Sequence, residues 1–114
     1  MSKLVKSFSW AMNGIRTVWR EEVNFRIELI VGLGVVMLAY RLNFSLLEWI
    51  FIVGCIGAVI AAEMINTAFE DLCDKVEPKV NPAIGKIKDI MGGFVLIVSV
   101  TAVIIGLIIF SNYF

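Results

Sequence analysis

Histidine is absent from this 114-residue chain. That excludes triads built on imidazole and the usual zinc sites. Two cysteines, Cys55 and Cys73, stand in apolar helical sequence. Two thiols do not complete a structural metal site, and they read as buried free thiols. Two prolines, Pro78 and Pro82, punctuate a single loop together with Lys79, Asn81 and Gly85. The net charge is zero, so nothing points to nucleic acid as a partner. No GxxxxGK[ST] segment occurs, so phosphate is not cradled by a P-loop. No secretory signal peptide is expected, because the first apolar run begins well inside the chain with no small-residue cleavage site after it.

Apolar sequence is what the chain has in abundance. It is 60% hydrophobic, with mean hydropathy +0.91, against about 45–50% for soluble domains. One domain spanning residues 1–114 is the expected organisation. Residues 3–20 place Leu4, Phe8, Ala11, Ile15 and Trp19 at i+3/i+4 spacing, away from Lys3, Lys6, Arg16 and Arg20. This predicts an amphipathic helix lying in the membrane surface. Three apolar segments follow, about 23–40, 46–65 and 90–110, each suited to crossing a bilayer. The fold class expected is therefore all-α integral membrane, a surface helix plus three transmembrane helices. A single copy has little core of its own, which favours an oligomer.

Arg41 is the only one of ten Lys/Arg outside the regions up to Arg26 and from Lys75 to Lys88. The positive-inside rule puts the N-terminus and the loop before the third span in the cytoplasm, and the C-terminus outside.

The second apolar run flows without a break into a helix bearing Glu63, Asn66, Glu70 and Asp74. At 100° per residue these four lie within roughly 80° on one face. Acids at a bilayer edge are costly and usually functional. They continue an i+4 row that begins with Gly54, Ala58 and Ala62. Small residues permit close helix approach, so this face is expected to pack between helices below and to form a polar site above. Glu22 and Glu70 are candidate Mg²⁺ ligands, since Mg²⁺ takes few carboxylates plus phosphate and water. Lys88 can neutralise phosphate, and Asp89 can position Lys88 or a metal. Glu63 lies about 10 Å deeper than Glu70 by helical rise, at the depth of a lipid headgroup, and is the candidate general base. A small assembly subunit or an ion pathway also accommodates buried acids. Against conduction, Glu48 stands alone near the far end with apolar sequence between.

Glu63-Met-Ile-Asn66-Thr67-Ala-Phe-Glu70, with Asp74 and then Lys88-Asp89 downstream, resembles the bacterial integral-membrane diacylglycerol kinase family, which includes undecaprenol kinases. Asn13-Gly14-Ile15-Arg16 and the stretch from Glu22 to Glu28 extend the resemblance over nearly the whole chain. It implies a homotrimer in the bacterial cytoplasmic (inner) membrane with active sites shared between protomers. It implies transfer of the ATP γ-phosphoryl to a lipid hydroxyl with Mg²⁺. By the resemblance, Glu63 is the catalytic base with Asn66 beside it, and Glu22 and Glu70 bind metal. Lys88 and Asp89 are the nucleotide-site pair, with Lys3 a basic and Trp10 an aromatic nucleotide contact. Where many members carry an acidic-aromatic-histidine triplet, this chain has Lys79-Val80-Asn81. Asn81 can still hydrogen-bond an adenine or ribose, and Val80 cannot stack. Glu21-Glu22, Glu48-Trp49 and the ending Gly106–Phe110 are similar to the undecaprenol branch, so undecaprenol is the expected substrate and diacylglycerol the alternative.

Overall fold

The computed structural model describes residues 2–114, and Met1 lies outside them. The chain forms four helices: α1 (Lys3–Glu21), α2 (Val23–Arg41), α3 (Leu46–Val76) and α4 (Pro82–Ser111). The last three are long and apolar enough to cross a membrane. The molecule measures 50 × 43 × 20 Å. The short dimension is about two helix diameters, so the chain is a thin slab.

Each boundary has a local cause. Ser2 caps α1 by accepting from Val5 N–H at 3.2 Å. Glu22 takes an extended conformation, φ −116° and ψ 112°, and separates α1 from α2. Arg26 secures this bend: its guanidinium donates to the carbonyls of Trp19 at 2.7 Å and Arg20 at 3.1 Å. A cation at a helix C-terminus satisfies orphan carbonyls and complements the dipole. Phe25, 1% exposed, anchors the same corner.

α2 ends where Asn43 adopts φ 59°, a left-handed conformation that Asn tolerates better than most residues. Phe44 N–H then reaches back to Ala39 carbonyl and Asn43 N–H to Tyr40 carbonyl, each 3.2 Å, which is the Schellman pattern. Ser45 and Glu48 at once form a reciprocal capping box for α3. The α2–α3 connection is thereby hydrogen-bonded almost throughout.

α3 has 31 residues, about 46 Å by helical rise, against a hydrocarbon core of about 30 Å. A layer that begins at Leu46 therefore ends between Glu63, about 26 Å along the helix, and Glu70, about 36 Å along, so Glu63 stands at its edge and Glu70 and Asp74 beyond it. α4 begins at Pro82 rather than near 90, earlier than the apolar run suggests. Asn81 caps it by accepting from Ala83 N–H at 2.8 Å, and Pro82 occupies the first turn. Pro82 is thus a helix start instead of part of a loop, and Gly85, Lys86, Lys88 and Asp89 are helical. The remaining connection is 77–81.

Burial within one protomer is sparse. At most 17% of the most apolar stretch of any span is buried. The buried cluster Ala39, Phe44, Ile52 and Ile109 lies at one end of the bundle. α2 and α3 come close at Gly32, where an added Cβ would stand 3.0 Å from Ile56 Cγ2. The small-residue row of α3 behaves differently from its expectation. Gly54 and Ala58 are exposed, and a Cβ on Gly54 would meet nothing within 4 Å. Only Ala62 is buried. The row therefore turns away from its own bundle, and Ile56, which meets Gly32, lies on the other side of α3.

Candidate functional site

Glu63 is the most enclosed acid, 5% exposed, on α3 where the apolar run ends. One turn on, Thr67 is also buried and its hydroxyl donates to Glu63 carbonyl at 3.0 Å. That internal bond removes a hydroxyl from competition for the carboxylate. Asn66, partly buried, donates from Nδ2 to Glu70 Oε1 at 3.2 Å. Asn66 therefore orients Glu70, as i, i+4 spacing on a helix allows.

The carboxylate of Glu63 lies within electrostatic reach of Glu22 and Glu70, and Glu28 lies within reach of Glu63. Four acids thus gather at one end of the bundle, from the α1–α2 bend, from α2 and from α3. The bend held by Arg26 and Phe25 is what brings Glu22 there. No group of three acidic or thiol side chains is close enough to enclose a metal ion among the described residues. A cation such as Mg²⁺, which takes few carboxylates and completes its shell from phosphate and water, asks for no such enclosure.

Lys88, on the second turn of α4, donates to Asp74 Oδ1 at 2.5 Å. Asp89 is exposed on the adjacent position. Asn81 spends its side-chain oxygen on the α4 cap. Lys79 is exposed in the connection, where its backbone N–H donates to Glu77 Oε1 at 3.3 Å. Lys3 and Trp10 are exposed on α1. Lys3 is nineteen residues from Glu22 and Trp10 twelve, about 28 and 18 Å along the helix, so neither touches Glu22 within one protomer.

Two features escaped the sequence reading. Glu28 lines a cavity of about 380 Å³ between α2, α3 and α4, together with Gly32, Cys55, Ile56, Ser99 and Gly106. Its Oε2 is buried without a hydrogen-bond partner. A charged residue one turn inside an apolar run was the available signal. Glu48 is also not alone: besides capping Ser45, its Oε1 accepts from Tyr113 Oη at 2.5 Å. That bond to the carboxylate pushes the Tyr113 phenol above its ordinary range. Both cysteines are free thiols, with Cys73 buried.

A family model for prokaryotic diacylglycerol kinase matches residues 9–110. This chain belongs to the prokaryotic diacylglycerol kinase family. The match covers α2, α3 and most of α1 and α4, so all four gathered acids fall inside it. Among curated relatives, the undecaprenol kinase of Bacillus subtilis (strain 168) is 33% identical over 110 residues, covering 96% of this chain and 89% of the relative. The diacylglycerol kinase of Escherichia coli (strain K12) is 26% identical over 113 residues, covering 99% and 93%. That of Helicobacter pylori (strain J99) is 31% identical over 96 residues, covering 83% and 74%. As a family member the chain is a membrane lipid kinase, and its gathered acids are the candidate active site.

Proposed function

We propose that the chain transfers the γ-phosphoryl group of ATP to the hydroxyl of undecaprenol. The observation that carries this reading is the convergence of Glu22 and Glu70 on the buried Glu63 at the end of an apolar bundle. A lipid lying along the spans brings its hydroxyl to Glu63, while a nucleotide approaches Glu70 from the water. Glu63 accepts the hydroxyl proton as the lipid oxygen bonds to the γ-phosphorus. The bond between that phosphorus and the β–γ bridging oxygen breaks, and ADP leaves. Such transfer depends on positioning and charge neutralisation more than on covalent chemistry. Mg²⁺ on Glu22 and Glu70 would supply neutralisation of the phosphate oxygens. Asn66 orients Glu70, and Lys88 and Asp89 hold the nucleotide, with Lys79 and Asn81 beside its base or ribose.

Lys3 and Trp10 belong to the nucleotide site through a neighbouring protomer of a homotrimer, which accounts for their distance from Glu22 within one chain. The exposed small residues Gly54 and Ala58 and the sparse burial of the spans support such an assembly. α1 lies in the membrane surface, its exposed Leu4, Phe8 and Ile15 toward the acyl layer. The distribution of Lys and Arg places α1, the acids and the 77–81 connection on the cytoplasmic side of the bacterial inner membrane.

Undecaprenol is preferred because the relative carrying that name is 33% identical; diacylglycerol is the alternative. Labelled ATP supplied to the detergent-solubilised protein with each lipid tests both. Faster phosphorylation of undecaprenol is expected. Faster phosphorylation of diacylglycerol reverses the substrate assignment, and labelling of neither by the intact oligomer overturns the kinase reading.

A further inference from the structure

We propose that Asp74 is a positioning residue for the nucleotide: its carboxylate holds the Lys88 ammonium beside the acidic end of α3 until phosphate takes its place. This rests on the kinase reading above and adds to it a task for Asp74.

The sequence places Asp74 one turn beyond Glu70 on the same face of α3. It gives no reason for Asp74 to meet Lys88, fourteen residues away. The early start of α4 creates that meeting. Because Asn81 and Pro82 begin the helix there, Lys88 stands on its second turn, facing back across the 77–81 connection. The Nζ–Oδ1 distance is 2.5 Å, and this is the only ion pair among the described residues. Lys75, Lys79 and Lys86 belong to the same end of the molecule and have no such tie.

The exposure of the pair decides what it does. Lys88 is 38% and Asp74 63% exposed at the side chain. Exposed ion pairs stabilise folds little, so loop closure alone is a weak reason for it. What the contact does restrict is the lysine. A four-carbon stem samples many rotamers when free, and the tie to Asp74 selects one. In that rotamer the ammonium is within electrostatic reach of Glu70 as well. A polyphosphate arriving at Glu70 therefore finds a cation already in place amid several acids. Because the pair is open to water, a more highly charged phosphate can displace Asp74 without a buried rearrangement.

The test is steady-state kinetics on the full chain in detergent with Asp74→Asn, Asp74→Glu, Lys88→Met and the Asp74→Asn/Lys88→Met double variant. Asp74→Asn is expected to raise KM for ATP about fivefold or more, the size of a typical coupling between contacting residues. Its kcat, its KM for the lipid and its thermal midpoint should stay near those of the parent. Asp74→Glu should restore most of the ATP affinity. Added to Lys88→Met, the Asp74 change should have no further effect. An unchanged or lowered KM for ATP in Asp74→Asn overturns the proposal, as does an equal effect in the Lys88→Met background. A parent protein that phosphorylates neither lipid removes the kinase reading and this proposal together. A parent that is active beside an unaffected Asp74→Asn removes this proposal alone.

Discussion

The two ends of the bundle are built on opposite terms. At the aromatic end, Phe44 packs on Tyr113, Phe110 and Trp49 with ring centroids 5.2, 5.1 and 6.1 Å apart. Beside them Ser45 and Glu48 exchange hydrogen bonds, and Glu48 also accepts from Tyr113. At the acidic end, Glu63 is buried among other carboxylates and Glu28 keeps an oxygen without a partner. Aromatic stacking and completed hydrogen bonds stabilise a fold. Like charges gathered together do not, and groups arranged that way are characteristic of functional sites. The closed end gives three sparsely packed helices a fixed relation, and the open end is the one proposed above to receive substrates.

Replacing groups at each end should separate activity from stability. Glu63→Gln is expected to cost the most, about 10²–10⁴-fold in turnover, the usual worth of a positioned base. Nucleotide binding and the thermal midpoint should hold; turnover within a few-fold of the parent would remove Glu63 from the role of base. At the other end, Phe44→Ala should destabilise the fold by about 3–5 kcal/mol, as for a buried aromatic truncated to Ala. Its KM for ATP should be unchanged below the new unfolding midpoint. A raised KM with an intact midpoint would show that the two ends are not separable.

Asn66→Ala frees Glu70 from its hydrogen bond. Loss of a partner that orients a metal ligand commonly weakens metal affinity about 10–100-fold, so activity should recover as Mg²⁺ is raised. Recovery absent at any Mg²⁺ concentration would place Asn66 in direct contact with substrate. Tyr113→Phe is the mildest change and should lower the thermal midpoint slightly with normal turnover. Its contribution also depends on pH with a definite sign. The folded phenol is held above its unfolded value, so its stabilisation is complete below about pH 10 and is lost as pH rises through the folded value. A parent-minus-Tyr113→Phe difference that grows above pH 10 would contradict the hydrogen bond to Glu48.

Most helix positions were legible from the chain alone. Apolar runs and 3.6-residue periodicity placed α1, α2 and α3 within a residue or two of their observed bounds. The start of α4 was missed because hydropathy begins at Ile90, whereas the helix begins with the Asn81-Pro82 cap. That signal is local and was available. The stripe Glu63, Asn66, Glu70 was readable because helical spacing alone puts those residues on one face. The outward turn of Gly54 and Ala58 was not, since a row of small residues does not say which neighbour it faces.

Sequence alone determined the helices, the membrane-crossing lengths and the acidic face of α3, because each follows from periodicity and composition over a few turns. The tertiary structure decided which groups meet. The bend at Glu22 brings that acid to Glu63, α4 carries Lys88 to Asp74, and the chain end returns Tyr113 to Glu48. Those pairings depend on the register of one helix against another, a property of side chains far apart in the chain that no local pattern encodes.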